Sequence, residues 1–102
     1  MNIEKNELMS DLLGLYGKLL TDYQLEIMEL YYFEDFSLAE IADNKSVSRN
    51  AVFTLIKRVE KILLDYEDKL KLNLKYKKIE KRLEKDNILK EDIINILLEE
   101  GE

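Results

Sequence analysis

Residues 37–53 read SLAEIADNKSVSRNAVF, a run with the layout of two short helices joined by a turn. Ser37 is followed three residues later by Glu40, which is the form of a capping box and predicts a helix start. Ala42 provides the small residue that two crossing helices need, and Ser48 can cap the second helix. Apolar anchors for the two helices are Leu38, Ile41, Val47, Val52 and Leu55. The run therefore predicts a helix-turn-helix motif.

The second helix of this motif has an apolar stripe and an opposite polar face when its residues are placed 100° apart. The stripe consists of Val52, Leu55, Ile56, Val59, Leu63 and Tyr66. The opposite face carries amide, hydroxyl and basic side chains, the types that hold phosphates or read base edges in a DNA groove. With the turn and the helix start included, the candidate nucleic-acid-binding residues are Lys45, Ser48, Arg49, Asn50, Phe53, Thr54, Lys57, Arg58 and Lys61.

Phe53 is unusual on a helix surface that faces solvent. It could meet a thymine methyl, stack on an unpaired base or pack on the C-terminal segment. A capped helical hairpin with a basic solvated face also occurs in many helical proteins that bind no nucleic acid, so both interpretations stay open.

The chain before the motif also has helical patterning. Apolar residues at spacings of three and four predict a first helix over about residues 3–20. Thr21 and Gln24 form a second capping box, for a helix that reaches about Tyr32. The first helix of the motif is expected to end near Asp43.

The chain after the motif meets no helix breaker before residues 86–87. The fourth helix therefore either continues to Lys85 or bends near Asn73, and a last helix is expected over residues 90–100. The absence of proline and the presence of only three glycines argue against the frequent turns of a β-rich domain. The sequence predicts an all-α protein, a helix-turn-helix bundle of three or four helices with a long C-terminal helical extension.

A helical arm over residues 69–102 is predicted to follow a helix-turn-helix domain over residues 1–68. The arm carries an apolar seam of Leu72, Tyr76, Ile79, Leu83, Ile93 and Leu97. This is more apolar surface than a solvated tail tolerates. The seam can fold back on the arm or pair with a second copy, and we predict a homodimer. Basic residues flank the seam, and a candidate second nucleic-acid site consists of Lys71, Lys75, Lys78 and Arg82. The alternative is a solvated face that keeps the seam soluble.

Charge is segregated along the chain, although the formal net charge is only −6. Residues 1–44 carry two basic and ten acidic groups, whereas residues 45–61 carry five basic groups and one acid. Residues 69–82 carry seven basic groups and one acid. The two basic islands coincide with the motif's second helix and with the arm, where phosphate contacts would be made. The acidic segment upstream opposes the binding of a polyanion.

The composition excludes most enzyme chemistry. The chain has no His and no Cys, so it lacks thiol nucleophiles, Ser-His-Asp triads and imidazole or thiolate metal sites. The acidic clusters lack the oxygen-ligand loop of a calcium site, and we expect no metal, no cofactor and no enzymatic activity. No apolar run approaches the ~18 residues of a membrane span, and the N-terminus has no signal-peptide pattern. We therefore expect a cytoplasmic protein.

Three blocks carry a resemblance to a known family: LTDYQLEIMELYYFEDFSLAEIA at residues 20–42, VSRNAV at residues 47–52 and IKR at residues 56–58. Together they resemble the YlxM family (UPF0122), small helix-turn-helix proteins associated with the signal recognition particle operon. The block YYFEDFSL at residues 31–38 is the most specific, and the resemblance extends over nearly the whole chain. It implies a regulatory or accessory role in the signal recognition particle pathway. The particle's RNA, its protein subunit and its receptor are then candidate partners beside DNA.

The motif is also similar to region 4 of bacterial sigma factors. In those proteins the positions that read promoter DNA are rich in Arg and Glu, whereas the matching positions here are Asn50, Ala51, Phe53 and Thr54. The similarity therefore implies the fold and does not extend to the promoter readout. A nucleic-acid-binding regulator or accessory factor is the favoured functional class. The alternative is a protein–protein adaptor that keeps the fold and binds no nucleic acid, and an enzyme is placed last.

Overall fold

A computed structural model describes residues 3–84 and 89–99. Its helices are α1 (Ile3–Tyr16), α2 (Asp22–Tyr32), α3 (Leu38–Lys45), α4 (Arg49–Leu70), α5 (Leu72–Leu83) and α6 (Lys90–Leu98). The described residues contain no strand, so the predicted all-α class is confirmed. None of the helices in these two ranges combines the length and the apolar character needed to cross a membrane.

The three predicted helix caps are confirmed. Thr21 Oγ1 accepts the backbone N–H of Gln24, and the Gln24 side chain accepts the N–H of Thr21, each at 3.1 Å. Ser37 and Glu40 make the same reciprocal pair, at 3.1 and 2.9 Å. The hydrogen bonds from the backbone and side chain of Ser37 hold the pKa of Glu40 below its ordinary value. Ser48 Oγ accepts the N–H of Ala51 at 3.0 Å, which fixes the start of α4.

The first helix is one turn shorter than predicted. It ends at Tyr16, and residues Gly17–Leu19 form a 3₁₀ turn. A Cβ atom placed on Gly17 would lie 3.0 Å from Leu25 Cδ1, so the glycine lets α2 approach closely at the point where the chain turns.

The core of the compact unit Met1–Asp65 is formed by one face of each of α1–α4. It consists of Met9, Leu12, Leu13, Tyr16, Ile27, Met28, Ile41, Ala42, Val52, Ile56, Val59 and Leu63. Ala42 is 6% exposed, as expected for the small residue in the motif. Val47 was predicted to be a core anchor, but it is 39% exposed. The reason is local: Ser46 ends α3 in the left-handed conformation at φ 56°, and Val47 follows it in the turn.

The second compact unit is Tyr66–Glu102. Of the two predicted courses, the structure has the bend near Asn73: Lys71 adopts φ 57° and separates α4 from α5, so the helix is not continuous to residue 85. The Glu67 carboxylate accepts the backbone N–H groups of Asn73 and Leu74 at 3.0 and 3.1 Å and so caps α5. The last helix ends at Leu98 instead of residue 100. The expected breaker at residues 86–87 lies outside the described residues.

Candidate nucleic-acid interface

The outer face of α4 consists of polar and basic side chains over a fully packed inner face. Val52, Ile56, Val59 and Leu63 are at most 3% exposed. The residues on the opposite side are all exposed: Arg49, Asn50, Phe53, Thr54, Lys57, Arg58 and Lys61. Ser48 is exposed as well, with its hydroxyl oxygen engaged in the helix cap. The structure thus brings eight of the nine predicted residues to one surface.

Lys45 does not belong to that surface. Its side chain is only 14% exposed, and its ammonium group forms a salt bridge with Glu26 of α2. The same ammonium lies 5.9 Å from the centroid of the Tyr23 ring. Both partners fix α3 against α2, so Lys45 could hold a phosphate only by giving up these contacts.

Three cations of this face have no carboxylate within salt-bridge distance in the described part of the chain: Arg49, Arg58 and Lys61. Lys57 differs from them, because its ammonium lies 3.6 Å from Glu60 Oε1 and 5.5 Å from the Phe53 ring centroid. Three guanidinium or ammonium groups are therefore available to phosphates without the loss of an internal ion pair.

Phe53 lies at the flank of the outer face and is 46% exposed. It lines a surface groove of about 460 Å³ together with Leu38, Arg49 and Asn50. Phe53 also lines a second, smaller cavity of about 80 Å³, together with Lys57 and Glu60. The outer face of α4 thus has an aromatic ring with open space beside it, which a purely polar reading face would lack.

Glu60 was not predicted to matter, yet it is the acidic centre of a network that joins three helices. It is 7% exposed, it accepts a hydrogen bond from the hydroxyl of Tyr32, and Lys5 Nζ lies 3.2 Å from its Oε1. Burial, followed by the hydrogen bond to Glu60, raises the pKa of Tyr32. A signal was available in the sequence, since Glu60 is the single acid among the basic residues 45–61 and follows Ile56 by one turn.

Comparison with known proteins gives the family. The description "Putative helix-turn-helix protein, YlxM / p13 like" belongs to the UPF0122 family, whose sequence pattern matches residues 3–99. The chain belongs to the UPF0122 family. It is 49% identical over 100 residues to UPF0122 proteins of Streptococcus pneumoniae strains Hungary19A-6 and CGSP14, with 91% of each chain covered. The resemblance inferred from the sequence blocks is confirmed.

In this UPF0122 chain the candidate second basic site has internal partners. Lys71 lies 3.7 Å from Asp68, and Lys75 Nζ donates to the carbonyl of Leu97 at 3.2 Å. Lys78 contacts Glu99 at 2.7 Å, and Arg82 approaches Asp92 at 4.0 Å. All four cations therefore contact groups of their own unit, three of them carboxylates. For Lys75, Lys78 and Arg82 the geometry favours a role in holding α6 against α5 over a role in binding nucleic acid.

The predicted apolar seam of the arm is only partly covered. Leu72, Ile79 and Ile93 are half-buried, whereas Tyr76, Leu83 and Leu97 are 46%, 52% and 44% exposed. The residue that α5 and α6 bury most completely is Ile96, at 6% exposed. The seam thus contributes to the α5–α6 contact and leaves apolar surface exposed beside it.

Proposed function

We propose that this protein binds nucleic acid through the outer face of α4 and acts as a regulatory or accessory factor of the signal recognition particle pathway. The observation that carries the binding proposal is the arrangement of Arg49, Arg58 and Lys61 on the part of the α4 outer face between residues 49 and 61, where no acid is exposed; the next exposed acids on this helix are Asp65 and Asp68. Glu60, the acid of this segment, is buried and engaged with Tyr32 and two lysines. The face therefore offers net positive charge to a phosphate backbone.

Salt dependence separates this proposal from its alternative. The acidic residues 1–44 favour the alternative, a protein–protein adaptor, because they repel a polyanion. The measurement is fluorescence anisotropy of a labelled nucleic acid between 50 and 200 mM salt. A nucleic-acid-binding protein shows log affinity falling linearly with log salt, by roughly 0.9 per duplex phosphate contact. Absence of binding at the lowest salt would favour the adaptor.

The placement in the signal recognition particle pathway, and with it in the cytoplasm, rests on the resemblance to the YlxM family and is part of the proposal. Its test is recovery of the tagged protein from its native cell, with and without nuclease treatment. The particle's RNA or protein subunit should co-purify, and nuclease should release a partner that is held through RNA. Recovery with neither particle component would remove this part of the proposal and leave the binding face untouched.

We also propose that a second copy of the chain covers the apolar side of the α5–α6 hairpin. Tyr76 and Leu83 lie on a different side of α5 from the ion-paired Lys78, since Tyr76 and Lys78 are about 200° apart on the helix. Helices of 12 and 9 residues are too short to be stable without a packed surface. Eight large apolar side chains of this unit are 40–72% exposed. Leu70 belongs to α4, and Leu74 lies about 200° from Tyr76 on α5, so these two are not part of this side. At roughly 180 Å² each the other six expose at most about 580 Å², near the lower limit of ~600 Å² per partner for a stable interface.

The oligomeric state tests the dimer. The intact protein should sediment as a dimer at micromolar concentration, and Leu97→Lys should shift it to a monomer. Asn95→Lys is the matched control, because residue 95 is exposed on the same helix about 200° away from residue 97. A monomeric parent protein, or equal effects of the two variants, would contradict the proposal.

A further inference from the structure

The groove beside Phe53 has the size and lining of a site for one flat ring. Its walls are the side chains of Leu38 and Phe53, with Arg49 and Asn50 at the edge, and its volume is about 460 Å³. Residues 50 and 53 are one turn apart on α4, so the amide and the aromatic ring lie on the same side of the helix. The groove therefore combines an aromatic surface, a hydrogen-bonding amide and a cation.

We propose that this groove receives an unstacked nucleobase, so that the preferred ligand is a nucleic acid with unpaired bases. The proposal rests on the proposed function and names its substrate class. In the groove the base stacks on Phe53, Asn50 bonds the base edge and Arg49 holds a neighbouring phosphate. Asparagine amides can bond base edges, and aromatic rings stack with unpaired bases of any sequence.

The two spaces beside Phe53 differ in size and in lining. The smaller one, at about 80 Å³, has less than a fifth of the volume of the groove and is lined by the charged residues Lys5, Lys57 and Glu60. The Lys57 ammonium lies 5.5 Å from the ring centroid. A cation over one face of the ring and a base on the open groove side is the arrangement in which both contacts can exist together.

A paired base does not fit this groove as well as an unpaired base. Within a duplex the flat faces of a base are covered by its neighbours, and the major groove offers Phe53 only the methyl group of thymine. A methyl contact needs neither a ring-sized space nor the second apolar wall that Leu38 provides. The exposed ring is therefore better suited to an unpaired base than to an intact duplex.

The test compares three labelled probes of equal length: a mixed-sequence single strand, its blunt duplex and a strand of the same length without bases. We expect the single strand to bind tightest and the baseless strand to bind much more weakly at the same salt. A stacked base contributes 1–3 kcal/mol, so Phe53→Leu should weaken single-strand binding by roughly 5- to 150-fold. Phe53→Tyr should restore most of the affinity, because the ring is kept. The salt slope should not change in either variant, since no phosphate contact is removed.

A direct signal of stacking is also available, because the chain has no tryptophan. The variant Phe53→Trp introduces one reporter at the groove, and its fluorescence should be quenched by the single strand and much less by the baseless strand. Equal binding of strand and duplex together with full affinity of Phe53→Leu would overturn the base site and leave the proposed function standing. Failure of all three probes to bind at low salt would instead overturn the proposed function.

Discussion

Removal of the Glu60 charge is expected to destabilise the protein by an amount that its partners determine. In Glu60→Gln the amide oxygen can still accept the Tyr32 hydroxyl proton, but the charge that Lys5 and Lys57 neutralise is lost. A hydrogen bond to a charged group contributes ~1.5–3 kcal/mol and a neutral one about 1 kcal/mol. Each lysine is 41–51% exposed and can be hydrated, so each ion pair adds at most ~1 kcal/mol.

The expected loss for Glu60→Gln is therefore about 1–3 kcal/mol. This is a large fraction of the ~5–15 kcal/mol of a whole domain, and each 1 kcal/mol lowers the Tm of a domain of this size by roughly 4–8 °C. The assay is urea or thermal unfolding followed by circular dichroism. Lys61→Gln is the control, because this exposed lysine has no carboxylate within salt-bridge distance among the described residues.

A double-mutant cycle of Glu60→Gln with Tyr32→Phe measures the part of the Tyr32–Glu60 hydrogen bond that depends on the Glu60 charge, because the amide keeps the neutral hydrogen bond. The sum of the losses in unfolding free energy of the two single variants should exceed the loss of the double variant by about 1 kcal/mol or more. Since the folded-state pKa of Tyr32 is raised, its contribution is fully present below the ordinary value of 10.0 and declines as pH rises above it. Tyr32→Phe should therefore lose less stability between pH 9 and 11 than the parent protein. Additive losses, or identical alkaline profiles, would refute the reasoning.

Four further outcomes are expected. Glu60→Gln should bind nucleic acid more tightly than the parent despite its lower stability, because Lys57 loses its internal partner. Fluorescence anisotropy measures the affinity, and an unchanged affinity would contradict the prediction. Ser37→Ala should cost ~1 kcal/mol of unfolding free energy. The pKa of Glu40 is lowered in the folded state, so its contribution to stability is present above the ordinary value of 4.5 and is lost as pH falls through the folded pKa. Glu40→Gln should therefore show a smaller loss of stability at acid pH than the parent protein. An unchanged acid profile would contradict this. Lys45→Met should leave the salt slope of binding unchanged and should lower the unfolding free energy by at most ~1 kcal/mol. A reduced slope would show that Lys45 does contact a phosphate.

Features that depend on neighbours in sequence could be predicted from the sequence. The capping boxes at Thr21 and Ser37 and the cap at Ser48 need only side chains within three residues of the backbone groups that they bond. The inner face of α4 follows from its helical period, because the apolar stripe is continuous from Val52 to Leu63. Ala42 could be placed because a helix crossing requires a small residue.

Features that depend on distant side chains could be predicted only in part or not at all. The sequence leaves a bend near Asn73 as one of two alternatives, but the break at Lys71 has no glycine or proline to mark it and relies on the Glu67 carboxylate, which caps the next helix. The burial of Glu60 requires Tyr32 from α2 and Lys5 from α1, and their positions follow only from the packing of the bundle. The removal of Lys45 from the basic face has the same origin, because its partners lie on α2.

The most direct test of the outer face of α4 is the salt slope of nucleic-acid binding in the triple variant Arg49→Gln, Arg58→Gln, Lys61→Gln. The matched control removes three exposed lysines on other elements, Lys18→Gln, Lys81→Gln and Lys90→Gln, and so changes the net charge by the same amount. If each of the three cations on α4 holds one phosphate, the magnitude of the slope of log affinity against log salt should fall by about 2.7 for a duplex or about 2.1 for a single strand. The slope of the control variant should stay near that of the parent. Equal slopes for the parent and the α4 variant, or a larger loss in the control, would contradict the assignment of α4 as the nucleic-acid-binding helix.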